Sequence, residues 1–532
     1  MRSGWIRRIC LPAALIAVTA LSAPAATASA PERSGNRYYL DCAGGSDSAS
    51  GHGPAQAWRT LRKANSVTFT PGSRILFKRG TRCEGTFAPH GSGTAARPIA
   101  TDAYGKGAKP AIAGQGALAA VLLDNVEYWE VRDLDVSNWG TTPPAADELR
   151  IGIYVRLTDF GTARHIVIAD NHVHDVNGCD CASPHSPDVS GGIILKAGGT
   201  RTPTAFDDVT ITGNTVRHVD RQGVMTYSDW ERRARYPDGR GTTYLPMTRL
   251  RIVGNHMSDL GGDAVGVQNG KDALVARNTV RGWAERAPSY TAAMSAFNSD
   301  GTVFSHNVVT DGAGHDALPS AAFMTEHANS DTVFEYNFSA NNQGGMLVVC
   351  SDAGRPSDNT VVRYNISQND NSNGWFPDFF EEGGRDYVGV ITTICLESGG
   401  VDFYGNTVYS DVAERMVANY TDNKLNFTDN IFVGRSAGAG WNDPHGVYDH
   451  NLYQNITTPP SGDSQARTGD PRLVAPGTAT GLSDTRGYRL RAGSPALRAG
   501  VPVAGDGGRD FFGNPIPDTA PNIGAYTGPP VR

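Results

Sequence analysis

Short apolar runs that lead into an asparagine recur along most of the chain. Ile166-Val167-Ile168 leads to Asn171, Val209-Thr210-Ile211 to Asn214, Leu250-Arg251-Ile252 to Asn255 and Leu274-Val275 to Asn278. Thr302-Val303-Phe304 and Thr332-Val333-Phe334 lead in the same way to Asn307 and Asn337, and the series continues at Asn365, Asn406, Asn430 and Asn451. Successive asparagines lie 43, 41, 23, 29, 30, 28, 41, 24 and 21 residues apart. Self-similarity at a period of about 20–50 residues marks a solenoid. The short spacings fit one coil of three short strands, and the long ones fit a coil that carries an insertion. Asparagine tolerates left-handed backbone angles and bonds its neighbours through its amide. Stacked from coil to coil, these residues are expected to form a ladder inside the scaffold.

A second pattern follows each turn. The aligned segments begin at Gly192, Gly223, Ala264, Ala293, Ala322 and Gly345. The next position is always apolar: Ile193, Val224, Val265, Met294, Phe323 and Met346. Side chains alternate across a strand, so this column is expected in the core, with Leu195, Thr226, Val267, Ala296, Thr325 and Val348 two places on. The alternate column then faces outward: Lys196, Tyr227, Gln268, Phe297, Glu326 and Val349.

Composition agrees with many short strands and tight turns. Charged residues make up 19% of the 532 residues, with 63 Gly and 31 Pro. The formal net charge is −7 and there is no basic run, so nucleic acid is not an expected partner. Arg2, Arg7 and Arg8 precede the apolar stretch Cys10 to Leu21, which is too short to span a bilayer, and Ala-x-Ala sites end at Ala28 and Ala30. This is the pattern of an export signal, with cleavage favoured after Ala28. The expected mature protein is secreted, soluble and monomeric. Six cysteines then remain, and an even count in an exported chain suggests disulfides. Cys42 with Cys83, and Cys350 with Cys395, are the expected pairs. Cys179 and Cys181, with His172, His174 and His185 nearby, form a poor zinc pattern, because zinc sites use wider cysteine spacing; no metal site is assigned.

The expected organisation is a signal peptide over 1–28, an N-terminal cap and first coil over 29–120, coils over 121–467 and a packed tail over 468–532. The cap includes a strand at Tyr38-Tyr39-Leu40, a short amphipathic helix over Ala57 to Ala64 and a strand at Arg74 to Lys78. The whole pattern resembles the right-handed parallel β-helix proteins of the pectate-lyase-like superfamily. Tyr38 to Asp41, Trp58 to Leu61 and Pro71 to Phe77 look like the entry segment of its secreted bacterial members. Gly469 to Leu473, Gly493 to Leu497 and Pro521 to Tyr526 look like their tail. The resemblance implies an all-β solenoid and glycan chemistry, but no one activity, since the scaffold hosts many. The pectate-lyase Asp-His motif and the polygalacturonase motif set are both missing, so no residue role carries over from either.

A strip of cation, aromatic rings, amide and carboxylate suits a sugar chain, because rings cover the apolar faces of sugars and polar groups bind their hydroxyls. Lys196, Tyr227, Gln268 and Phe297 are therefore candidate substrate contacts. Insertions at 177–190, 228–247 and around 373–387 are candidate walls; Asp229, Trp230, Trp375 and Arg385 join the binding set from them. A hydrolase needs two carboxyl groups flanking the scissile bond. Glu326 is the first candidate, with Glu381, Glu382 or Asp378 as partner and Asp229 as a weaker one. A lyase needs a base and cations; Lys196, Arg385, His327 or Tyr227 could serve, with Ca²⁺ held by carboxylates. The hydrolase reading is preferred and requires no cofactor. The alternative is a non-catalytic glycan-binding or cell-surface protein. His315 and Asp316 are adjacent in a turn and read as a loop hydrogen-bonding device rather than a dyad.

Overall fold

The computed structural model describes residues 36–532 apart from 146–147, 180–189, 237–242, 287–290, 314–319, 352–353, 378–384 and 395–398, with the backbone alone described at 375–377 and 385–387. Three long parallel sheets of 15, 14 and 11 strands run the length of the molecule. One coil illustrates the plan. Thr162–Ala169 lies in the 15-stranded sheet, His172–Val176 in the 14-stranded sheet and Gly191–Gly198 in the 11-stranded sheet. The chain then starts the next coil at Ala205–Thr212, with Ile166 opposite Val209 and Ile168 opposite Ile211.

Alternation within each strand builds the core. Ile166, Ile168, Val209, Ile211 and Ile252 stack on one another with no exposed surface. Further along, the rings of Phe304 and Phe334 stack with centroids 4.8 Å apart. Burying each such side chain contributes roughly 1.5–3 kcal/mol.

All ten asparagines form one ladder at the turn between the 15- and 14-stranded sheets. Each backbone N–H donates to the side-chain oxygen of the next asparagine at 2.8–3.0 Å, from Asn171 to Asn451. The ladder ends on Asp463, whose carboxylate accepts from the Asn451 N–H at 3.0 Å and amide at 2.9 Å. One detail departs from the expectation. The left-handed residue is the one before each asparagine, including Asp170, Arg277, His306, Tyr336 and Tyr364. The asparagines are selected for their amide, not for backbone tolerance.

The sheets begin well before residue 121, because Arg37–Leu40, Arg74–Lys78 and Ile99–Tyr104 already belong to the 15-stranded sheet. The helix is Leu61–Asn65, with the Thr60 side chain accepting from the Lys63 N–H. It buries Leu61 and Ala64 beside Trp58 and Phe69, closing the apolar end of the first coils. Cys42 and Cys83 form a disulfide as expected, with Cα atoms 5.3 Å apart. Cys179 and Cys350 are each in a disulfide; Cys181 and Cys395 lie outside the described residues, so the expected Cys350–Cys395 pairing does too. At the other end, Tyr488, Leu490, Ile523, Ala525 and Tyr526 pack on Phe338, Ile366, Ile431 and Leu452. The tail thus covers the outer face of the C-terminal half of the 14-stranded sheet. No described helix is long and apolar enough to cross a membrane.

Candidate functional site

The register of the 11-stranded sheet brings the expected outward column together. Asp124 lies opposite Arg156, Arg156 opposite Lys196 and Lys196 opposite Tyr227. Gln268 lies opposite Phe297, and the pairing of Ala296 with Thr325 sets Glu326 beside Phe297. The last expected member is corrected. Val349 pairs with Thr325 and is fully buried in the core. The segment starting at Gly345 pairs with Ala321 rather than Ala322, so Cys350 takes the next outward place.

The column is not an open, solvated strip. Tyr227 is 1% exposed, Phe297 4%, Gln268 7% and Glu326 8%; Lys196 and His327 are half-buried, and the column opens to solvent at its Arg156 and Asp124 end. A parallel outward column lies beside it and is mostly apolar. Tyr154, Ile194 and Met225 pack with Tyr227 and Phe297, and Met324 with Val348 continues the column among buried neighbours. Between them is Gly266, where any side chain would meet the Met225 sulfur at 1.8 Å; only glycine lets Met225 lie across the neighbouring strand. His327 faces the Phe297 ring with centroids 5.8 Å apart.

The insertion after Gln222–Ser228 walls this face along the coil stack. The Trp230 indole donates to the Gly198 carbonyl at 3.3 Å, and the Asn269 amide donates to the Trp230 carbonyl at 2.7 Å. The Gln268 amide donates to the Glu231 carboxylate at 2.5 Å, and the Asn298 amide to the Glu231 carbonyl at 2.9 Å. Arg233 then bonds Asn298 at 2.7 Å and Asp300 at 2.8 Å, with its guanidinium 4.1 Å from the centre of the Tyr244 ring. Arg235 pairs with Asp358 on a later coil, and that bond raises its affinity for its proton. Burial pushes the Tyr244 hydroxyl far above its usual range, so it stays a neutral donor. The described part of the loop is tied to several successive coils, which makes a wall from a segment rich in charge.

The other sequence candidates divide. Asp229 accepts from the Gly199 N–H at 3.1 Å and thereby closes the end of the neighbouring strand. Trp230 is 2% exposed and anchors the wall. Trp375 and Arg385 belong to a short antiparallel pair, Trp375–Pro377 with Arg385–Tyr387. Asp378, Glu381, Glu382, His315 and Asp316 lie outside the described residues. Glu231 is the acid that the sequence reading passed over. Its signal was its place in the charged, aromatic insertion two residues after Asp229.

No family model matches the chain. A lacto-N-biosidase of Bifidobacterium longum subsp. longum is 25% identical over 609 aligned positions, which cover 92% of this chain and 36% of the relative. The chain therefore spans about a third of the length of that relative. Among solved structures, GH136 lacto-N-biosidase from Eubacterium ramulus superposes with a TM-score of 0.60 at 20% identity, covering 78% of this chain and 67% of that one. XylC in complex with xylose superposes with a TM-score of 0.52 at 11% identity, covering 93% and 98%. The chain is a right-handed parallel β-helix. Both structural likenesses are likenesses of fold.

Proposed function

We propose that this protein is an exported glycoside hydrolase that cleaves a glycan against the outer face of the 11-stranded sheet. The observation that carries the reading is Glu326, a carboxyl group only 8% exposed on the outward side of the sheet, beside Phe297 and within reach of the walled column. Its surroundings of rings and an amide, Phe297, His327 and Gln268, suit a sugar. The likeness to lacto-N-biosidases in sequence and in fold supports hydrolysis over elimination.

Two carboxyl groups are required, about 5–10 Å apart according to stereochemical outcome. Glu326 supplies one. Glu231 is a candidate partner among the described residues, held by Gln268, which lies two strand spacings from Glu326, or roughly 10 Å along the sheet. Asp378, Glu381 and Glu382 are the alternative partners. One acid protonates the leaving oxygen, and the other activates water or attacks the anomeric carbon. His327 and Lys196 are the half-buried members that a glycan can reach, over the buried rings of Phe297 and Tyr227. The reaction needs no cofactor. Export follows from the segment 1–28, and the enzyme acts as a monomer.

The test is turnover of the mature chain on a panel of host, plant and microbial glycans, with products identified. Reducing-end release from a lacto-N-biose-containing oligosaccharide is the expected result. Release of unsaturated uronates instead selects the lyase. Glycan binding without cleavage anywhere on the panel selects the non-catalytic reading.

A further inference from the structure

A second cluster of functional side chains lies on a different sheet. On the outer face of the 14-stranded sheet, in the N-terminal coils, Asp135 lies opposite His172 in adjacent strands. His174 is two residues further and so projects on the same side. The Asp135 carboxylate meets His172 Nδ1 at 2.8 Å and His174 Nε2 at 2.9 Å. The two imidazole rings stack with centroids 4.3 Å apart. One ligand atom from each of the three residues falls within 4.8 Å of the others.

The surroundings are those of an oriented ligand set. His174 Nδ1 is held by the Asp175 carboxylate at 2.7 Å, and the second Asp175 oxygen meets His218 Nδ1 at 2.7 Å. A carboxylate on the far nitrogen fixes the tautomer of a metal-bound histidine and raises its basicity. The three side chains are 28%, 26% and 16% exposed, which leaves an approach from solvent. Cys179 is in a disulfide and is no ligand. We propose that Asp135, His172 and His174 bind one first-row divalent transition metal ion of the Zn²⁺ type, with water completing the shell. Two imidazoles and a carboxylate are the donor set for such an ion. It would clamp two successive coils at a point where the tail does not reach.

Contacts on both imidazoles have to yield: His172 Nδ1 and His174 Nε2 give up their hydrogen bonds to Asp135, and His174, bonded to a carboxylate at each nitrogen, releases its Nε2 proton to solvent. Arg217 Nε donates to His172 Nε2 at 3.0 Å, so the His172 proton sits on Nδ1, facing Asp135. Metal entry moves that proton to Nε2 and turns the guanidinium, which is exposed, back to solvent. Arg217 is thus a competitor of the metal and not part of its site.

The experiment is Zn²⁺ titration of the metal-stripped mature chain, by calorimetry and by competition with a chromophoric chelator. The wild type is expected to take one equivalent more than the His172→Ala/His174→Ala double variant. Asp175→Ala should weaken binding about 10–100-fold, and Arg217→Ala should bind at least as tightly as wild type. Equal stoichiometry in the wild type and the double variant overturns the proposal. Because the double variant could misfold, crystals of the wild type soaked in Zn²⁺ give an independent reading. An anomalous peak about 2.0–2.1 Å from His172 and His174 nitrogens supports the site, and no peak there overturns it.

Discussion

Two outward faces of this solenoid are buried, and they are buried differently. On the C-terminal half of the 14-stranded sheet, Phe338, Ile366, Ile431 and Leu452 point away from the core and meet Tyr488, Leu490, Ile523 and Ala525 of the tail. Apolar surface meets apolar surface, and the polar groups buried with it are answered by the tail: the Gln368 amide donates to the Ala479 carbonyl at 2.9 Å, and its oxygen accepts from the Ala479 N–H and the Tyr488 hydroxyl, both at 2.9 Å. On the 11-stranded sheet the hidden outward residues include Gln268, Ser295 and Glu326 among Tyr227, Met225 and Phe297. The first face needs nothing beyond its own chain. The second keeps an amide, a hydroxyl and a carboxyl in a place where aliphatic side chains would be cheaper. The polar groups of the first face are answered by the tail, whereas those of the second lie beside a wall built from an insertion, with Gln268 bonded to Glu231 of that wall, and this contrast directs the functional reading to the second face.

Substitutions on the closed face should act on stability alone. Ile523→Ala should cost about 2–5 kcal/mol, read from denaturant unfolding, while turnover per folded molecule stays at the wild-type level. A loss of turnover in the folded fraction would join the two faces and break the comparison. The ladder should show a smaller effect. Asn307 accepts from Asn278 and donates to Val275 and Asn337. Asn307→Ala leaves those buried partners unpaired, at about 1–3 kcal/mol, and a neutral result would show that neighbouring coils hold the turn without it.

The tail contact should also be pH-sensitive. Asp429 accepts from the Val501 N–H, and its backbone carbonyl accepts from Gly524. Burial pushes its carboxyl up to about 8. An acid whose folded pKa is raised binds more protons folded than unfolded, so stability is full at low pH and falls as pH rises from about 4 to about 8. The slope from one such group is at most about 1.4 kcal/mol per pH unit. Asp429→Asn should flatten the loss across that window, with thermal midpoints as the measure. An unchanged slope would place the titration elsewhere.

The scaffold was legible in the sequence because the ladder asparagines are irreplaceable at their turn and leave a mark at every coil from Asn171 to Asn451. The outward column was legible for the same reason: period-two alternation carried through Lys196, Tyr227, Gln268, Phe297 and Glu326. It failed at Val349, because Gly345 pairs with Ala321 rather than with Ala322 of the previous coil. Burial of the column was not legible, because the wall comes from an insertion whose contacts span several coils. Arg235 meets Asp358 across 123 positions, and no local pattern announces that. Asp135 escaped notice for a related reason. It pairs with His172 across a coil, 37 residues away, although His172-x-His174 after the Asn171 turn already placed two imidazoles on one face.

The most direct measurement compares Glu326→Gln with Ile523→Ala on the same cleaved glycan. The account predicts that Glu326→Gln lowers kcat about 10²–10⁴-fold with unfolding unchanged or improved, while Ile523→Ala loses stability and keeps kcat. Wild-type turnover by folded Glu326→Gln would contradict it.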